Sequence, residues 1–326
     1  MSALVHGAVY GAVIVTVLLT IVALSIWFER KLAGRMQSRL GPTLVGPVGL
    51  LQPIADVVKL LQKEDIVPAE ADRRLFNLAP ILAVFASLAA AAVVPFSPST
   101  IAADLDVGVV YIIAMGGLTV IPTFAAGWAS NNKFALLGGM RAIAQSVSYG
   151  VPLVLATLVP ILLAGTMSVS GIVTWQSHHH WIAVWPIIPG LPAFFVFFLA
   201  LLAESNRIPF DIPEAESELV AGVTTEYTGA KFTLFYMGEY VHTLVGSAVA
   251  AALFFGGWDG PFAPGLVWMV AKTLGLFVCV YWVRWSLLRF RADQLMELCW
   301  KRLTPLAVGL VLLAAAWVQF GPGGAR

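Results

Sequence analysis

The chain has 326 residues, 59% of them hydrophobic and only 11% charged, with a net charge of +1 and a mean hydropathy of +0.87. That balance excludes an ordinary soluble protein of two domains. It offers no basic face either, so no nucleic-acid partner is expected.

Apolar runs of about 20 residues recur, the length needed to cross ~30 Å of hydrocarbon. In chain order they predict eight spans, at 4–28, 77–96, 107–128, 143–165, 182–203, 236–256, 265–287 and 303–320, in one integral membrane domain over 1–326. The first is too long for a signal-peptide core, lacks a basic leader and runs directly into Glu29-Arg30-Lys31, so it reads as a retained helix. Loops 29–76, 129–142, 204–235 and 288–302, with Arg284 beside the last, hold 17 of the 19 Lys and Arg; the alternate loops hold none. The positive-inside bias therefore makes those four loops cytoplasmic and puts both termini on the non-cytoplasmic side. The expected fold class is an all-α polytopic membrane protein with about eight transmembrane helices and one interfacial amphipathic helix on the cytoplasmic side.

After the first span, ERKLAGRMQSRLGP carries Arg30, Lys31, Arg35 and Arg39, which suit anionic lipid heads at the membrane surface. GPTLVGPVGLLQPIADVVKLLQKEDIVP then sets turns before a helix with apolar residues at helical spacing and Asp56 and Lys59 three apart, able to pair. That helix either packs on the surface or forms the rim of a cavity that admits a lipid-like molecule. Gly7 and Gly11 in the first span support close helix packing. After the third span Ser130, Asn131 and Asn132 can cap the next helix, and Arg141 and Gln145 enter it four residues apart. Residues 107–203 contain no Asp or Glu, so a proton crossing that half needs hydroxyls, water or another protein.

His178-His179-His180 reads as a solvated outer loop, since three consecutive imidazoles cannot all face one ion and no Cys, Asp or Glu lies near. Cys279 and Cys299 form no C-x-x-C pair and read as small buried hydrophobes. No metal site, haem or cluster ligand set, Rossmann fingerprint or Walker sequence is expected in this chain.

Chemistry concentrates at 199–242, LALLAESNRIPFDIPEAESELVAGVTTEYTGAKFTLFYMGEYVH. Seven of the 18 acids lie here: Glu204, Asp211, Glu214, Glu216, Glu218, Glu226 and Glu239. Pro209 and Pro213 exclude regular helix before Glu214. Helix resuming at Glu214 would put Glu214 and Glu218 on one face, where mutual repulsion and partial burial raise the proton affinity of at least one. Such coupled carboxylates can pass protons, or they can form a solvated acidic loop. Glu239 falls inside an apolar run, and Lys272 in the next span is the obvious cation in reach.

Several blocks together are specific: ERKLAGRMQSRLGP, GLLQPIADVVKLLQKEDIVP, GWASNNKFALLGGMRAIAQSVSY, AESNRIPFDIPEAESELVAG with TEYTGAKFTLFYMGEY, and RFRADQLMELCWKRLTPL. From about Trp27 to Leu306 the chain resembles the H subunit of bacterial NADH:quinone oxidoreductase (respiratory complex I), the counterpart of mitochondrial subunit 1. The resemblance implies a multi-pass protein of the bacterial inner membrane, one component of a proton-translocating enzyme. Its chamber takes quinone as substrate, and a glutamate path couples quinone reduction to proton translocation. It implies no redox cofactor in this chain, FMN and iron–sulfur clusters in partner subunits, and as partners a peripheral quinone-reducing arm, small and antiporter-like membrane subunits and membrane lipid. Block by block, it places Glu204, Glu214, Glu216, Glu218, Glu226, Glu239 and Lys272 on the proton path. Arg30, Arg35, Asp56, Lys59, Phe210 and Asp211 fall at the quinone chamber, and Arg39, Arg207, Arg289 and Arg291 on loops that dock the arm.

Five positions depart from the family pattern: Gly150 where Glu usually follows Ser-Tyr, Thr43 and Leu44 for Asn-Arg, Leu288 for Pro and Ala292 for Tyr. Two other readings stay open, the equivalent component of a related hydrogenase or formate hydrogenlyase, and a stand-alone secondary transporter. The transporter would require internal repeats, and the sequence has no convincing one.

Overall fold

Among the described residues every long apolar run is helical, because within hydrocarbon a helix satisfies its backbone N–H and C=O groups internally. The computed structural model describes residues 2–98, 100–178, 189–261 and 265–320, with side chains for all of these except 2–10, 216 and 217. In chain order the helices are α1 (Ser2–Met36), α2 (Gln52–Leu61), α3 (Arg73–Ala91), α4 (Gly108–Leu118), α5 (Val120–Ala129), α6 (Lys133–Ala164) and α7 (Val169–His178). There follow α8 (Gly190–Glu204), α9 (Glu216–Leu219), α10 (Gly229–Phe254), α11 (Gly265–Ser286), α12 (Ala292–Glu297) and α13 (Thr304–Phe320).

Seven segments among the described residues are long and apolar enough to cross a membrane: α1, α3, α4 with α5, α6, α10, α11, and α12 through α13. The shorter apolar α8 matches the expected span 182–203, of which residues 182–188 lie outside the described residues. Helix ends differ from the hydropathy reading where a polar side chain finds a partner. The fourth span starts at Lys133, because Asn132 Oδ1 accepts from Phe134 N at 2.8 Å and caps it, so the expected loop 129–142 shrinks to a turn. The expected loop 288–302 is largely helix, continued into α13 through a π turn at Leu298–Leu303, where Thr304 Oγ1 donates to Cys299 O at 2.8 Å. Cys299 is thus buried within helix, whereas Cys279, expected buried, faces outward.

Helix α10 is the hub. In its most apolar 18-residue window 83% of residues are buried, against 17% in α1, which places α1 at the periphery. α3, α11, α8, α7, α1 and α2 all pack on α10. Gly238 lets α3 approach closely: a Cβ there would stand 3.4 Å from the Ala83 carbonyl group. Gly11, read as a packing position, would meet nothing within 4 Å on gaining a Cβ.

Gly150 lies on the outer face of α6, beside exposed Val147 and Val151, and a Cβ there also meets nothing within 4 Å. Gly150→Glu is therefore expected to fold and assemble normally, with an unchanged melting temperature. A large fall in that temperature would show that this face of the span does not tolerate a carboxylate, whether lipid or another protein lies against it.

Candidate functional site: a charged cavity and a buried carboxylate path

A cavity of about 910 Å³ opens between α1, α2, α10 and the 205–228 loop. One side is apolar, from Leu19, Val22, Ala23 and Ile26 of α1 and Val57 and Leu60 of α2. The other is charged, with Arg30, Asp56, Asp211, Glu214, Arg284 and Arg289. Helix α2 turns Asp56 inward, where it accepts from Arg30 Nη1 at 2.5 Å and Gln52 Nε2 at 2.9 Å. The expected pairing of Asp56 with Lys59 is thus replaced by one with α1, and Lys59 is exposed.

The loop after α8 folds inward. Gln145, buried in α6, donates to the carbonyls of Ala203 (2.7 Å) and Phe210 (2.9 Å), and Phe290 N donates to Pro209 O at 2.8 Å. At Gly222 (φ +53°) the backbone of Pro213 and Glu214 leaves no room for a Cβ. Arg207, expected on a docking loop, is 3% exposed. Its guanidinium sits 3.6 Å from the Glu239 carboxylate and 4.4 Å from the Tyr240 ring, so charge and stacking draw it into the interior. Burial works against the Arg207 charge, but Glu239 and its neighbours outweigh it and hold the guanidinium pKa above its ordinary value.

Glu214 and Glu218 do not share a helical face. Helix resumes only at Glu216, and Ala215 takes the left-handed conformation (φ 30°), which throws the two carboxylates apart. Glu214 points inward, and burial first, then the charges of Glu239 and Asp211, hold its carboxyl well above the usual glutamate range. Burial likewise raises Asp211, against the pull of Arg284, Arg207 and Arg289. Glu218 faces out and accepts from Arg141 at 2.5 Å and Arg289 at 3.0 Å. The Arg141 hydrogen bond holds it below the usual range, so Glu218 is a fixed anion clamping α6 to the loop. The side chain of Glu216 lies outside the described residues.

Behind Glu214 lies a second cavity of about 60 Å³, lined by Glu204, Glu214, Glu239, His242, Tyr149 and Asn206 among others, and by Thr119 at the α4–α5 junction. A third, about 30 Å³, shares Glu204 and His242 and runs on between apolar walls to Leu253. Glu204 Oε1 stands 3.7 Å from His242 Nε2, and Gly116 opposite makes room for that carboxylate. Glu214 borders the large cavity and the small one, so Glu214, Glu239, Glu204 and His242 share a continuous polar seam.

Other expected residues lie elsewhere. Glu226 accepts from Asn132 Nδ2 at 2.7 Å, away from the seam. Lys272 does not reach Glu239: its Nζ donates to the carbonyls of Phe255 (2.6 Å), Gly257 (3.0 Å) and Asp259 (2.6 Å). Phe210 is buried behind the cavity wall against Phe290, with ring centroids 5.6 Å apart. Arg35, Arg39 and Arg291 are exposed, Arg291 pairing with Asp293 at 3.0 Å, while Arg289 lines the cavity. Of the histidines, His178 ends α7 and is exposed; His179 and His180 lie outside the described residues.

Sequence reasoning missed a joint. Glu29 is 4% exposed, accepts from Arg284 Nη1 at 2.5 Å and from the Tyr240 hydroxyl, and so ties α1 to α11 and α10. The available signal was pairwise: one acid and one base at the ends of two apolar runs.

Fold and site together define a polytopic helical membrane protein with an amphiphilic cavity leading into buried carboxylates. The sequence model of the family described as NADH dehydrogenase matches residues 9–315. The H subunit of a NADH-quinone oxidoreductase from Dehalococcoides mccartyi is 46% identical over 319 residues, 98% of this chain and 88% of the relative. The corresponding H subunits of Rickettsia prowazekii (47% identical, 91% of this chain and 89% of the relative) and Geobacillus thermodenitrificans (48%, 94% and 92%) match similarly. The chain belongs to the H-subunit family of NADH-quinone oxidoreductases and is an integral membrane protein.

Proposed function

We propose that this chain is the membrane component of a NADH:quinone oxidoreductase that forms the quinone chamber and passes protons from it into the membrane. One observation carries the reading: the amphiphilic cavity of about 910 Å³ and the buried carboxylate seam meet at Glu214. A quinone has an apolar tail and a polar head, and the cavity offers a matching wall from α1 and α2 and a charged end at Asp211, Glu214 and Arg284. Reduction of quinone to quinol takes two electrons and two protons. The electrons come from iron–sulfur clusters and FMN held by partner subunits.

The acids Asp211 and Glu214 hold protons close to where the head would sit, and Arg284 and Arg289 offset the charge left when a proton leaves. Glu239, Glu204 and His242 then carry charge changes on toward the α4–α5 junction. The exposed arginines of the cytoplasmic loops dock the peripheral arm, the outer helix faces meet the other membrane subunits and lipid, and both termini lie outside the cytoplasm of a bacterial inner membrane.

Ala23 stands on the apolar wall, so Ala23→Phe would fill the path of the tail. In the assembled complex its expected effect is a several-fold loss of activity with a long-tailed quinone and little loss with a tailless analogue. Equal activity with both, at the parent's rate, would remove the tail from this cavity.

A further inference from the structure

Helix α10 ends far from the charged cavity, in packed surroundings, and its last carbonyls have no continuing helix to bond them. Phe254 is 0% exposed, so water does not meet that need. Side chains from two neighbouring helices do. Gln176 of α7, also 0% exposed, donates from Nε2 to Leu253 O at 2.6 Å and accepts from Gly256 N at 2.6 Å. Gly256 and Gly257, with φ of +70° and +47°, then turn the chain so that the carbonyls of Phe255, Gly257 and Asp259 converge on one point. The Lys272 ammonium of α11 occupies that point, each of its three N–H donors having an acceptor at 2.6–3.0 Å.

We propose that the end of α10 is a cation site built of main-chain carbonyls, filled in this protein by the tethered ammonium of Lys272. A cation there satisfies three carbonyls and opposes the negative end of the helix dipole, which fixes α10 against α7 and α11. The proton path does not pass through Lys272. Glu239 lies 16 residues before Phe255, a separation of roughly 24 Å along α10 at ~1.5 Å per residue. When the side chain is cut back, the same carbonyls accept a small free ammonium ion.

In the assembled complex Lys272→Ala is expected to melt several degrees lower than the parent, or to fail to assemble where Lys272→Arg succeeds. Methylammonium chloride should raise melting or assembly of Lys272→Ala relative to choline chloride at equal ionic strength. Lys272→Arg keeps charge and donors but holds its proton throughout the working pH range, so its proton-to-electron ratio should equal the parent's. Unchanged melting of Lys272→Ala, no difference between the two salts, failure of Lys272→Arg to assemble, or a lower ratio in Lys272→Arg would each overturn the cation site. Only the ratio rests on the function proposed above. A parent complex that pumps no protons would sink that function and leave the site to be decided by melting.

Discussion

Glutamine in place of Glu214 is expected to abolish most proton translocation in the reconstituted complex while leaving the complex assembled. Among the described residues Glu214 is the only carboxylate bordering both the large cavity and the small one behind it, so no second acid bridges them. Glutamine preserves the volume and can donate a hydrogen bond, but it cannot release a proton. Pumping should fall at least tenfold, read as acidification per NADH oxidised in sealed vesicles. Glu218→Gln, on the outer arginine clamp, should pump normally, and equal losses in the two variants would dissolve the distinction. A second readout follows from linkage. The folded protein holds the Glu214 proton above the ordinary glutamate value of 4.5, so protonated Glu214 favours the fold. That contribution is complete below the unfolded value and lost as pH rises through the folded one. Glu214→Gln should therefore match the parent's melting temperature in acid and exceed it increasingly toward alkaline pH.

The largest loss of stability is expected for Arg207→Met. Arg207 is 3% exposed and faces Glu239 at 3.6 Å. Removing one partner of such a pair leaves a buried charge uncompensated, an effect of about 3–5 kcal/mol. Little assembled complex should survive, measured by native electrophoresis of membranes. Adding Glu239→Gln removes the stranded charge and should restore assembly in the double variant, though not pumping. No restoration would mean that the Tyr236 and Tyr240 rings, over which the guanidinium also lies, carry the stability instead.

Seven of the eight expected spans, the amphipathic helix after the first of them and the acidic stretch were legible, because hydropathy and charge placement are local properties that a bilayer amplifies. Family membership came from blocks such as AESNRIPFDIPEAESELVAG. What failed was orientation within the loop. A spacing of four between Glu214 and Glu218 implies a shared face only if helix is unbroken, and left-handed Ala215 breaks it. Arg207 looked like a surface arginine because its partner, Glu239, lies 32 residues on, in another element. Lys272 looked like the partner of Glu239 because both are charges in apolar runs. Main-chain carbonyls, which carry no sequence signature, won the ammonium.

The Glu29 joint carries a consequence for biogenesis. Its two donors, Tyr240 and Arg284, are encoded 211 and 255 residues downstream. At about 5–20 residues per second, a ribosome reaches the second donor about 13–50 s after making Glu29. Through that interval α1 sits in the bilayer with an unmatched carboxylate at its end, and it stays free to move sideways. The cavity wall it supplies can close only late, once α11 has been inserted, so factors that guard nascent membrane helices have their clearest client in this first one.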